Sequence, residues 1–180
     1  MSTGILTPIR KSGRIATIKF VKGQSELLSG YTAGNNKQAA WCYYNNDTVN
    51  RGKYGKLYNW YAVADPRGLS PDGYRVPSHG EWGVLIRYLG SNASVFMKNE
   101  TGWEENLNGK NKSGFSAMPA GKREIEGFDR LGIQSIWWGA TESGPDSSWD
   151  YYLNQSTTNY LGTGKADKAA GFSIRCLKNQ

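Results

Sequence analysis

The clearest periodicity in the chain lies between Ser78 and Gly90, where Trp82, Leu85, Ile86 and Leu89 recur at helical spacing and would line one buried stripe. Ser78-His79-Gly80-Glu81, just ahead of the stripe, fits a capping box: the Ser hydroxyl accepts from an early helical amide while Glu81 reaches back to the cap. Gly90 supplies the stop. A helix is predicted over this stretch, and no second long helix follows it.

Elsewhere the apolar runs are short. Residues 15–21 are β-branched and end at Gly23, which predicts a strand, and the polar run 30–38 reads as a loop. Trp41-Cys42-Tyr43-Tyr44 is aromatic and gives way to turn-forming Asn45-Asn46-Asp47. Residues 54–63 read as a strand passing into a short helix with core aromatics. Residues 100–135 alternate Gly, Asn and Lys with brief apolar pieces, as loops crossed by short strands do. Trp137 and Trp138, neighbouring bulky aromatics between turns, are expected to brace a core. The last clean alternation, residues 171–177, predicts a half-buried strand with Phe172, Ile174 and Cys176 facing one way. Two short helices, both early, followed by many short strands make an α+β arrangement in one domain spanning residues 1–180.

Composition narrows the function classes. The 180 residues include seven Trp, eleven Tyr and 23 scattered Gly, which is a turn-rich globular chain and not a disordered one. The net charge of +7 invites a nucleic-acid reading, but the excess is concentrated in residues 1–40, where six Lys/Arg face Glu26 alone. That pattern describes a basic arm; no nucleic-acid-binding motif accompanies it. Cys42 and Cys176 show neither zinc nor redox spacing, and their positions fit one disulfide as well as two buried thiols. No apolar run reaches the ~20 residues needed to span a bilayer, and no leader peptide is apparent, so no direct membrane insertion is expected.

Six ordered motifs are familiar together: Trp41 to Asp47; Tyr54-Gly55-Lys56-Leu57-Tyr58-Asn59-Trp60; Gly73-Tyr74-Arg75-Val76-Pro77 running into the capping box; Gly114-Phe115-Ser116-Ala117-Met118-Pro119-Ala120-Gly121; Trp137-Trp138-Gly139-Ala140-Thr141-Glu142; and Gly171 to Cys176. Over about residues 41–178 the chain resembles the Fibrobacter succinogenes major paralogous domain. That family is similar to the C-type lectin fold and to the variable proteins of diversity-generating retroelements. The resemblance implies a fixed scaffold, a small twisted antiparallel sheet with long loops, and a changeable binding segment between Glu142 and Gly171. The first forty residues match poorly, Met118-Pro119-Ala120-Gly121-Lys122 replaces an LPGG-like run, and Gly139-Ala140 replaces a Ser-Ser pair.

Adenine mutagenesis of AAY codons never yields Lys, Gln, Glu, Met or Trp. Within residues 143–170 only Trp149, Gln155, Lys165 and Lys168 fall outside that set, which assigns these four to the scaffold. A paratope mixes rings that give large contact area at small entropy cost with short, adaptable polar groups. On that basis the expected ligand-binding residues are Ser143, Gly144, Asp146, Ser148, Asp150, Tyr152, Asn154, Ser156, Asn159, Tyr160, Leu161, Thr163 and Asp167. Trp149, Tyr151 and Leu153 are assigned to the inward face of their strand, leaving Asp150, Tyr152 and Asn154 outward.

The expected partner is a protein or carbohydrate on a surface, met outside a cell or on a virion, with no cofactor and no catalysis. A conventional carbohydrate-binding adhesin is the alternative. An enzyme like the formylglycine-generating enzymes would require a second cysteine late in the chain beside Cys176. His79 reads as an exposed residue of a first helical turn, since no nucleophile pattern lies near it. The Glu104-Glu105 pair and the Glu124, Glu126 group read as solvated loop charges. The calcium signatures of sugar-binding lectins are absent, so Asn45-Asn46-Asp47 reads as an Asx turn before a structural calcium site.

Overall fold

Trp137 and Trp138 are adjacent in sequence and buried on opposite faces of one strand, at 2% and 0% exposure. Each indole withdraws roughly 200 Å² from water, worth about 5 kcal/mol at ~25 cal/mol per Å². A strand so loaded on both faces needs a core on each side, and the rest of the chain supplies two. The structure, a computed structural model, describes residues 25–26, 37–104, 107–154 and 160–179. The strand expected at 15–21 and most of the 30–38 loop lie outside the described residues.

In chain order the elements are β1 (Ser25–Glu26), β2 (Ala40–Cys42), β3 (Leu57–Tyr58), α1 (Trp60–Val63), β4 (Tyr74–Arg75), α2 (His79–Leu89) and α3 (Ala93–Met97). They are followed by β5 (Ala120–Glu124), β6 (Gly127–Leu131), β7 (Gln134–Glu142), β8 (Ser147–Asn154), β9 (Gly162–Asp167) and β10 (Leu177–Lys178). This is a mixed α+β chain, mostly strands with few helices. Among the described residues there are three α-helices where two were expected, because the five-residue α3 follows directly on the turn at Gly90–Asn92.

The larger sheet has the order β6-β5-β7-β8-β9, and a smaller one the order β1-β2-β3. Residues 171–173 join the two: Phe172 exchanges backbone hydrogen bonds with Tyr58 at 2.7 and 2.9 Å, and Ser173 bonds Ile136 and Trp138 of β7. The expected terminal strand is therefore interrupted. It bridges two sheets at 171–173, and its continuation β10 pairs with β4 instead. Its facing is as read, with Phe172 and Ile174 buried and Cys176 packed against the same cluster.

One core gathers Trp41, Tyr58, Trp60, Ile136, Trp138 and Phe172 on one side of β7 and β8. The other gathers Trp82, Leu89, Met97, Trp103, Trp137 and Tyr151. Trp82 and Tyr151 stack at 4.4 Å with an interplanar angle of 11°. The capping box is formed: Glu81 N–H donates to Ser78 Oγ at 3.4 Å, and Ser78 N–H to Glu81 Oε2 at 2.9 Å. Burial would raise the Glu81 carboxyl pKa, but the Ser78 bonds and Arg75 hold it below its ordinary range.

Asn59, fully buried, ties the start of the domain together. Its Oδ1 accepts from Ala40 N–H at 3.0 Å and Ala62 N–H at 3.1 Å, and its Nδ2 donates to the Gln38 carbonyl at 2.7 Å. The two cysteines do not form a disulfide: Cys42 is buried in a third small cluster, and Cys176 lies 3.4 Å from Ser70 Oγ. Among the described residues no helix is long and apolar enough to cross a membrane.

Candidate functional site

Between Trp138 and Glu142 the β7 ladder slips against β8, so that Trp138 pairs with Asp150 while Glu142 pairs with Ser148. The irregularity falls on Gly139-Ala140. Here the Gly139 carbonyl accepts from Trp60 Nε1 at 2.9 Å and Ala140 N–H donates to Pro77 O at 2.8 Å. It also brings Thr141 to the start of α2, where the Thr141 hydroxyl accepts from His79 N–H at 2.9 Å. Bulge, helix start and late strands thus meet at one corner.

Strand β8 carries most of the residues expected to bind, and here the one-sided reading needs correction. Ser148 is fully buried and donates to the Thr141 carbonyl at 2.7 Å, and Asp150 is only 6% exposed. Leu161 is buried in the core around Trp82. These three are not open surface. The cause is that the face carrying Ser148, Asp150, Tyr152 and Asn154 is the face of Ile136 and Trp138, covered by β3, α1 and Phe172. The expected outward face packs against a second core.

Asp150 and Tyr152 lean over the edge strand β9, whose glycines leave room. A Cβ on Gly162 would sit 2.4 Å from the Tyr152 ring carbons, and one on Gly164 would press on the Asp150 carboxylate. Burial pushes the Asp150 pKa up to about 6, with Glu124 adding to the rise and Lys122 opposing it. Tyr152 and Asn154 are half-buried, and Asn154 Oδ1 accepts from Gln134 Nε2 at 2.5 Å.

The remaining expected residues divide between turn and surface. Ser143 and Gly144 form the β7–β8 turn, both donating N–H to the Ser147 carbonyl at 3.1 Å. Asp146 is exposed and pairs with Lys37 at 3.2 Å. Thr163 and Asp167 are exposed along β9, and Tyr160 is 64% exposed just before it. Ser156 and Asn159 lie outside the described residues.

Sequence reasoning missed the group at the corner. His79, exposed as expected, has its ring stacked on Trp149 at 4.2 Å and its Nδ1 2.7 Å from the Tyr151 hydroxyl. Lys165, directly opposite Trp149 in the β8–β9 pairing, holds its ammonium 4.9 Å from the same indole. Trp149 is half-buried at the rim, so the expectation of an inward residue holds only in part. The signal available was parity: Trp149 shares a strand face with Tyr151, and Lys165 shares one with Thr163 and Asp167.

Lys168, assigned to the scaffold from the sequence, is tied to the packed part of the fold. It is buried, and its ammonium donates to Glu142 Oε1 at 3.0 Å and Pro145 O at 2.8 Å while lying 4.8 Å from the Trp60 ring. Asn45 and Asn46 have positive φ, and Asp47 accepts from Val49 N–H at 2.9 Å, the geometry of an Asx-type cap.

A family model described as the Fibrobacter succinogenes major domain matches residues 16–178, reaching further towards the N-terminus than the motifs at 41–178 did. Comparison with curated proteins and with solved structures returned no match. With nearly the whole chain covered by that one model, the protein belongs to the Fibrobacter succinogenes major domain family.

Proposed function

We propose that this domain is a non-enzymatic binder that presents the β8–β9 hairpin and its rim as a replaceable recognition surface on a fixed scaffold of C-type-lectin type. In this reading it acts as the variable proteins of diversity-generating retroelements do, recognising a receptor or other surface ligand outside a cell or on a virion. The observation that carries it is the contrast between neighbours: Thr163 and Asp167 on edge strand β9, and Tyr160 just before it, are exposed, while β7 and β8 behind them are packed on both faces.

Such a division lets surface residues change without cost to the core. Exposed polar groups beside an amphipathic ring also have the makeup of an adaptable paratope. Exposure favours Tyr160, Thr163 and Asp167 as the replaceable face, flanked by a fixed corner of His79, Trp149 and Lys165, over the even-numbered side of β8. Nothing in this reading asks for a cofactor. The one histidine supports binding over turnover, since its Nδ1 contacts a core phenol instead of a nucleophile.

Screening the domain on protein and glycan arrays, then mapping the strongest ligand by hydrogen exchange, tests the proposal. Protection centred on residues 160–167 and the His79 corner is expected. Protection confined to β5, β6 or α3 would overturn it.

A further inference from the structure

Resting on that reading, we infer that the corner formed by His79, Trp149 and Lys165 binds the carboxylates of an acidic peptide segment on the partner. The Tyr151 hydroxyl is buried, and desolvation raises its pKa, which keeps the O–H proton in place. His79 Nδ1 lies 2.7 Å from that hydroxyl, and in the tautomer in which the O–H donates to Nδ1 the ring N–H is on Nε2. Among the described residues Nε2 meets no acceptor. The stack on Trp149 fixes the ring in its plane, so the donor is held in position before any ligand arrives.

Lys165 supplies the second group. It is exposed, held near the indole by a cation–π contact, and has no carboxylate partner among the described residues. The acids beside it are engaged elsewhere: Asp167 accepts from Ala169 N–H at 2.8 Å, and Glu142 pairs with Lys168. Asp150 points over Gly164, on the other face of the sheet. The Thr141 hydroxyl, already accepting from His79 N–H, has its own proton to give nearby. Donors therefore collect at this corner without acceptors to match.

The indole also argues against a sugar. A pyranose ring needs an open aromatic face, and the Trp149 ring already carries the His79 stack and the Lys165 ammonium. A flexible acidic side chain needs only the donors at the rim. An extended segment alongside edge strand β9 would present alternate side chains to this same face, at a repeat of about 6.8 Å.

The experiment titrates the full chain with a capped peptide of alternating Glu and Gly, its Gln analogue and a glucuronate oligosaccharide. The Trp149 indole N–H is followed by NMR. The Glu peptide should shift that resonance, the Gln analogue should not, and added salt should weaken binding because the charges are exposed. Lys165→Glu should weaken the Glu peptide about five- to tenfold, and Lys110→Glu, an equal charge change at another exposed site, less than about twofold. Equal losses in the two variants would reduce the effect to net charge and overturn the inference. So would tighter, Lys165-dependent binding of the glucuronate, or the absence of any shift. If the acidic peptide fails while an array ligand still protects residues 160–167, only this inference falls; a footprint elsewhere removes the proposed face as well.

Discussion

The carboxylate of Asp150 lies directly over Gly164: a Cβ on that glycine would come within 2.8 Å of Oδ2 and 3.0 Å of Oδ1. The glycine makes room for a charge that burial disfavours, and the consequence is a pH-dependent stability. An acid whose folded pKa is raised to about 6, against 3.8 unfolded, binds more protons in the folded state between those values. Stability contributed by this group is therefore lost as pH rises from about 4 to about 6. Asp150→Asn removes that loss. Urea unfolding should show the variant more stable by about 1–2 kcal/mol at pH 8, with the gain vanishing near pH 4.

Gly162 makes the sharper steric demand, because a Cβ there would strike the ring carbons of Tyr152 at 2.4 Å. Gly162→Ala should cost about 1–3 kcal/mol. Adding Tyr152→Ala removes the obstacle, so a double-mutant cycle should show the two substitutions strongly coupled. Additive losses would contradict the packing described.

Asn59→Ala removes three buried hydrogen bonds and leaves Ala40 N–H, Ala62 N–H and the Gln38 carbonyl without their partner. A loss of about 2–4 kcal/mol is expected in thermal or urea unfolding. Asn59→Asp should recover part of it, since the oxygen that serves both amides is retained.

Much of the scaffold can be read from the chain because its signals are local. Ser78 with Glu81 is a two-residue device whose partners lie within one turn, and the Trp82 stripe follows from helical period alone. The parity of β8 misled for the opposite reason. Trp149, Tyr151 and Leu153 alternate with Ser148, Asp150 and Tyr152 as a half-exposed strand would. That the second face is covered depends on Tyr58, Trp60 and Phe172, brought from both ends of the chain. Gly162 and Gly164 were the local trace of that crowding. The pairing of His79 with Tyr151 spans 72 residues, and no spacing within either segment announces it.

The constancy of the framework has its own test in Lys168, which joins the late segment to Glu142, Pro145 and Trp60. Lys168→Ala should lower stability by about 1–3 kcal/mol, because it removes a buried cation together with its bonds. Exposed Lys165→Ala should change stability by less than about 0.5 kcal/mol. Calorimetry of the two variants gives the comparison.

In the proposed function, recognition belongs to the exposed edge and not to the packed strands behind it. Its most direct test measures the affinity of an array-identified ligand for the wild type and for the triple variant Tyr160→Ala, Thr163→Ala, Lys165→Ala, with melting temperature recorded alongside. We expect affinity to fall by at least about tenfold, or ~1.4 kcal/mol, with little change in melting temperature. An unaltered affinity in a fully folded triple variant would contradict the account.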